Sequence, residues 1–255
     1  MTASRELRTS HAELRWNEDG TTIAKRLVRA SDGTLLWTDA RRFRNEGRIN
    51  RLLLAAPPPV PTPALLDADR RGGSLTFAAV AGAPLGPKYP ELLSHDELSD
   101  LIGLTCALRP YNPHRRWLRR FAAGRRLRTH VAEGDLTAAQ AAHVRRRTEG
   151  VALCFAHGDV TARNVIAGPD GLVLIDWEWA GVFPAGWDLA VLWFTLAHAP
   201  GGRDAVVAAM PAALCASFWV SVTYVHLLHL HLWHRTGAPF IERHRATLAG
   251  VLDRL

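Results

Sequence analysis

Lysine is almost missing from this chain of 255 residues: of its 31 basic residues only Lys25 and Lys88 are lysines. Arginine carries the rest, alongside abundant Ala, Pro and Gly. That bias reflects overall composition, and it makes a lysine within a strand stand out. Cysteine is scarce too. Cys106, Cys154 and Cys215 are scattered, with no CxxC spacing, which excludes a disulfide framework and leads us to expect reduced thiols in a cytoplasmic protein. No run of about 18 apolar residues is evident, so no membrane span is expected. Met1-Thr2-Ala3-Ser4-Arg5-Glu6 lacks the apolar core of a signal peptide. There is no HExxH, no GxGxxG and no internal repeat. The remaining composition, 48% hydrophobic and 22% charged, is that of an ordinary globular chain long enough for a sizeable core. The net charge of +7 suits a neutral or acidic partner better than a polycation.

Hydrophobic periodicity divides the chain into a strand-rich N-terminal lobe over 1–80, a hinge or linker over 81–87 and a helical C-terminal lobe over 88–255. In the first lobe, Ala12 to Trp16 and Thr22 to Val28 alternate at period two around an Asn-Glu-Asp-Gly turn, the pattern of a hairpin. Asp39 to Ala55 reads as a helix with Phe43, Gly47, Ile49, Asn50, Leu53 and Leu54 on one rough face. Thr38 or Asp39 is its candidate cap, and the Pro57-Pro58-Pro59 run stops it. A second hairpin follows around Leu65–Leu66 and Ser74–Val80. Helices are expected over Asp96–Leu108 (capped by Ser94), Trp117–Val131 and Thr137–Arg147. Two short strands flank Gly168-Pro169-Asp170-Gly171, and apolar helices occupy most of Asp188–Leu255.

Chemistry concentrates in one stretch. Ala156-His157-Gly158-Asp159 leads through a loop to Asn164, and a dozen residues later an apolar strand ends in Leu174-Ile175-Asp176-Trp177-Glu178. One carboxylate (Asp159) can orient an attacking hydroxyl. A carboxamide and a second carboxylate (Asn164, Asp176) offer hard oxygen donors to the metal on a nucleotide.

These segments resemble the aminoglycoside phosphotransferase and choline kinase group within the protein-kinase-like fold. That group's catalytic loop reads HGDxxxxN, its metal segment IDW or IDF followed by an acidic residue, and its next helix opens on D-L-A, as in Gly186-Trp187-Asp188-Leu189-Ala190. The resemblance implies a bilobal α+β kinase fold with Asp159 as the catalytic carboxylate. Asn164 and Asp176 would then be ligands of Mg²⁺, with His157 and Asp188 as structural support of the loop. More weakly, it implies Lys25 as the phosphate-binding lysine, Glu46 as its ion-pair partner, and the backbone around Ala79 and Val80 as the adenine contact. Arg26 becomes the inward residue if the strand register slips by one. The implied activity is ATP- and Mg²⁺-dependent transfer of the γ-phosphate to a hydroxyl of a small molecule or natural product. The alternative is a kinase phosphorylating Ser/Thr of an acidic precursor peptide beside a partner lyase, and a pseudokinase-type binding protein fits the complete Asp159/Asn164/Asp176 set less well. Since 8–12 alone is left to cover the phosphates, a protein partner that completes the short lobe is the other expectation. Few acidic residues follow Asp188, which disfavours a polycationic acceptor.

Three further features read as structure. The arginine run over 115–128 fits a solvated helix face, and no nucleic-acid motif accompanies it. His226, His229, His231 and His234 spread over more than half of their helix, so core or groove-lining histidines fit better than a metal site. Trp193, Trp219, Tyr224 and Trp233 fit an aromatic core better than an acceptor pocket.

Overall fold

A computed structural model of the chain describes residues 6–8, 12–28, 37–69, 73–113, 118, 121–236 and 241–255, with the side chains of 6, 8, 37–39, 235, 236 and 243 also outside the description. The turn at 31–34, most of the basic run and the break at 237–240 therefore lie outside the described residues, as do the side chains of the expected caps Thr38 and Asp39. The fold is mixed, with strands concentrated early and helices late, and the chain divides into two compact units: Met1–Pro87 with Ala162–Ala180, and Lys88–Thr161 with Gly181–Leu255. The polypeptide thus enters the first unit twice, where the sequence reading cut it once.

In the first unit, β1 (Glu6–Arg8), β2 (Ala12–Trp16), β3 (Thr22–Leu27), β4 (Leu65–Asp69) and β5 (Ser74–Ala78) form an antiparallel sheet in the order β1-β2-β3-β5-β4. The Asn17–Gly20 turn is closed by Thr22 N–H donating to Asn17 O δ1 (2.9 Å) and by Thr21 N–H donating to Asp19 (2.8 Å), the local bonding that makes Asx residues turn formers. Helix α1 (Trp37–Ala55) lies on this sheet. Phe43 joins Leu65, Leu75 and Phe77 in the core. Glu46, Ile49, Asn50 and Leu53 continue the buried face at helical spacing, whereas Leu54 is exposed. Gly47 permits this approach, since a Cβ there would stand 3.0 Å from the Leu75 methyl.

The returning segment contributes β8 (Val165–Gly168) and β9 (Gly171–Leu174), which with β6 (Ala83–Pro84) make a three-stranded sheet in the order β6-β8-β9. Gly82 sits at φ +127°, and a Cβ there would meet the Ala167 carbonyl oxygen at 2.2 Å, so no other residue fits this crossing. A 3₁₀ turn at Trp177–Trp179 follows. It is pinned to α1 by Asn45, whose amide donates to the carbonyls of Glu178 (3.0 Å) and Ala180 (2.9 Å).

The second unit is helical around one small ribbon, β7 (Leu153–Ala156) paired antiparallel with β10 (Gly181–Pro184). Ser94 and Glu97 form a reciprocal capping box on α2 (His95–Leu108), and Thr137 and Gln140 do the same on α4 (Ala138–Thr148). Between them α3 spans Ala123–Ala132, starting six residues later than the charge pattern predicts. Phe121 N–H donates to Val182 O (3.0 Å), so Phe121 is committed to β10 and the helix opens after it. Helix α5 (Trp187–Thr195) is buried along its whole length. Beyond α6 (Gly202–Ala209), α7 (Cys215–Thr236) packs against α5, and α8 (Ile241–Leu252) against α7. The stretch Ala212–His234 is apolar and long enough to cross a membrane, contrary to the expectation from sequence, yet 72% of its most apolar window is buried inside the protein. Interspersed His, Ser and Thr hide the run from the eye, and burial makes it a core helix. Trp193, Trp219 and Tyr224 are core residues as well.

Candidate active site

Each unit gathers its own set of motif residues. In the first, β3 alternates so that Lys25 turns inward while Arg26 is exposed. Lys25 Nζ lies 2.7 Å from Glu46 Oε2, 2.8 Å from Asp176 Oδ1 and 3.9 Å from Glu178 Oε2. Burial pushes the Lys25 ammonium down, but Glu46, Asp176 and Glu178 together outweigh it and hold the proton on. Burial drives the Glu46 carboxyl upward, with Lys25 opposing. Arg42 approaches Glu178 at 3.9 Å and caps the Trp179 ring at 4.2 Å.

Asp176 reaches Lys25 because its backbone is left-handed, φ +66°, the one positive φ at a non-glycine among the described residues. Asp tolerates that region better than most residues, and the kink turns the carboxylate off the end of β9. Asn164 leaves the same end of the β8–β9 hairpin, its carbonyl accepting from Ile175 N–H at 2.9 Å, and its side chain is buried. The carboxylate oxygens of Glu46, Asp176 and Glu178 all lie within 4.8 Å of one another. The three carboxylates form a hard, anionic oxygen set of the kind that suits a magnesium ion, and Asn164 leaves the chain at the same hairpin end. At the expected adenine contact, Ala79 N–H is already committed to Thr21 O (2.8 Å). Val80 follows it in irregular backbone.

In the second unit, β7 delivers His157 and Gly158 to the N-terminus of α5. The Asp188 carboxylate accepts both backbone N–H groups, from His157 at 2.9 Å and from Gly158 at 2.8 Å. Trp187 Nε1–H donates to Gly158 O (3.3 Å), and Asp159 N–H donates to His157 Nδ1 (3.3 Å). With Nδ1 accepting, the His157 ring proton sits on Nε2. Burial raises the Asp188 carboxyl above its usual range, against the pull of His157 and of the two amides. The loop ahead of Asp159 is therefore held at three consecutive amides by buried groups.

Asp159 itself meets Lys88 Nζ at 3.1 Å. Beside it, Tyr89 is pushed up to about 12 by burial and by the Asp159 charge. Tyr89 packs edge-on against Phe194 and His229, and His229 stacks on Phe194 with centroids 4.1 Å apart. Lys88 had no assigned role in the sequence reading. Its signal was rarity: both lysines of the chain sit on a motif aspartate. Asn45 and Glu178 were also passed over, and only Glu178, directly after the Asp-Trp pair, carried a hint.

A search of protein-family models finds one match, over residues 14–218, to the phosphotransferase enzyme family. The chain belongs to this family. Among solved structures, the phosphotransferase aligns with a choline/ethanolamine kinase family protein from Mesorhizobium loti at 15% identity and TM-score 0.71, over 99% of its own length and 88% of that chain. It aligns with choline kinase LicA from Streptococcus pneumoniae at 14% identity and TM-score 0.64, over 100% and 95% of the two chains. A ternary complex of APH(2″)-IIa with streptomycin and ATP gives 12% identity and TM-score 0.62, over 98% and 92%. At these identities the likeness establishes the kinase-like fold. No curated protein matches the sequence.

Proposed function

We infer that this phosphotransferase moves the γ-phosphate of ATP to a hydroxyl of a small molecule, using magnesium. The observation that carries the reading is Lys25 held between Glu46 and Asp176, because an inward lysine clamped by a helix glutamate is the arrangement that orients nucleotide phosphates in kinases. Lys25 contacts the phosphates, Glu46 fixes its rotamer, and the backbone of Ala79 and Val80 borders the base. Asn164 and Asp176 hold the magnesium, which when bound neutralises charge on the phosphoryl oxygens. Asp159 accepts a hydrogen bond from the acceptor hydroxyl and orients its oxygen for in-line attack. His157 and Asp188 keep that carboxylate in place. Positioning and charge carry the catalysis, and no covalent intermediate is needed.

The acceptor is uncharged or anionic. Lys88 presents an ammonium beside Asp159, and the exposed Tyr89 next to it packs on the buried rings of Phe194 and His229. A cationic acceptor would meet repulsion there and find few carboxylates. Streptomycin, bound in one solved relative, and choline, in the name of another, are cations, so on this reading the acceptor here differs from both in charge.

The test is a phosphotransfer assay with ATP and magnesium over a panel of neutral sugars, hydroxylated natural products, choline and aminoglycosides, paired with calorimetry of nucleotide binding. Asp159→Ala should abolish turnover and leave ATP affinity nearly unchanged. Magnesium-independent ATP binding, or turnover retained in Asp159→Ala, would refute the assignment.

A further inference from the structure

Among residues not assigned to phosphotransfer, the C-terminal end of α3 and the last turns of α7 bring three imidazoles and two carboxylates together. His130 Nδ1 lies 2.9 Å from Asp135 Oδ2 and 3.5 Å from Glu133 Oε2. Ligand atoms of these three residues all fall within 4.8 Å of one another. The second oxygen of each carboxylate is gripped from outside. His231 Nδ1 is 2.8 Å from Glu133 Oε1, while His234 Nε2 at 2.8 Å and Arg245 Nη2 at 3.1 Å hold Asp135 Oδ1. Each carboxylate therefore has one oxygen anchored and one turned toward His130.

Three properties of this arrangement point to a cation. First, the inward atoms of His130, Glu133 and Asp135 lie close enough together to share one ion, and the hydrogen bond between His130 Nδ1 and Asp135 Oδ2 at 2.9 Å gives up its proton when a metal takes its place. Second, Glu133 Oε2 is buried and has no hydrogen-bond partner among the described residues, a cost that a metal ligand does not incur. Third, the side chains of His130 and Asp135 are almost wholly buried, and Arg245, which reaches Asp135, is also paired with Glu242 at 2.7 Å. The outer contacts reproduce how ligating carboxylates are oriented by donors behind them.

We propose that His130, Glu133 and Asp135 bind a divalent transition-metal ion, zinc, which ties the end of α3 to α7 and α8. The imidazole selects zinc over magnesium, whose preference is for oxygen alone. This site is separate in residues and in chemistry from the magnesium donors Asn164 and Asp176.

The test uses the full chain, stripped of metal with a chelator and titrated with Co²⁺ alone in the presence of millimolar magnesium and without nucleotide. One equivalent of Co²⁺ should give a visible d–d band, zinc should displace it, and zinc should raise the thermal midpoint. His130→Gln should abolish the band, and His231→Phe, a change at a partly exposed position, should weaken zinc binding by about tenfold. Glu133→Gln serves if His130→Gln does not fold. Asp176→Asn should leave the band unchanged. The proposal is overturned if no stoichiometric band forms, or if band and affinity survive in His231→Phe and Glu133→Gln, or if Asp176→Asn removes them.

Discussion

Lowering the pH from 8 to 5 should destabilise the protein chiefly through two buried histidines. His226 and His229 are both held down to about 3, His226 by burial and then by the nearby His244, His229 by burial and then by Lys88. Their unfolded values lie at about 6.5. A depressed folded value means that the unfolded chain binds more protons in this window. The stability these groups contribute is complete above pH 6.5 and is lost as pH falls toward 3. At pH 5 each unfolded imidazole gains about 1.5 pH units of protonation, about 2 kcal/mol, so the pair removes about 4 kcal/mol. That is a large share of the roughly 5–15 kcal/mol that holds a domain. Urea unfolding followed by tryptophan fluorescence at several pH values gives the slope directly. His226 is fully buried among Trp193, Phe194 and His244, and neither ring nitrogen has a hydrogen-bond partner among the described residues. His226→Phe should therefore cut the pH 8-to-5 loss by about 2 kcal/mol, and should raise stability at pH 7 by about 1 kcal/mol by removing an orphaned donor. An unchanged slope in His226→Phe would refute the reasoning.

Lys25→Met should destabilise the chain by about 3 kcal/mol, since it strands the buried Glu46 charge, and should abolish ATP binding; calorimetry with intact affinity would exclude Lys25 from the nucleotide site. Asp188→Asn can satisfy only one of the two amides at His157 and Gly158 and turns an N–H toward the other. It should cost about 1–3 kcal/mol and lower kcat more than it raises the KM for ATP, a split that steady-state kinetics resolves. Lys88→Ala should admit cationic acceptors that the wild type excludes, with KM for such compounds falling about fivefold for the removal of one partly solvated charge; an unchanged acceptor profile would remove Lys88 from specificity.

Legibility differed by residue. His157 to Asn164 and Ile175 to Glu178 could be read because their spacing is contiguous and their chemistry needs fixed residue types. The family match and the kinase-like fold agree with the family and fold that these motifs implied. Ser94 announced its helix because capping is local. The start of α3 could not be read, since what holds Phe121 extended is a carbonyl 61 residues away, on Val182. Leu54 was assigned to a buried face and is exposed, because a helix's apolar stripe is only as wide as the sheet beneath it. Lys88 was visible as a rarity and silent as to partner. The sequence pattern also gave no sign that Asn45 fastens the turn at Trp177–Trp179 to α1.

By itself the sequence determined the family and the order of strands and helices, and it nominated the side chains for the chemistry, because these depend on residue type and on short-range spacing. Tertiary structure alone decided which charge meets which. It set Lys25 rather than Arg26 inward, put Lys88 on Asp159, and split the α7 histidines between a neutral aromatic core and a carboxylate cluster. Such pairings depend on distance through space and on the water removed when a side chain is buried, and neither quantity is written along the chain.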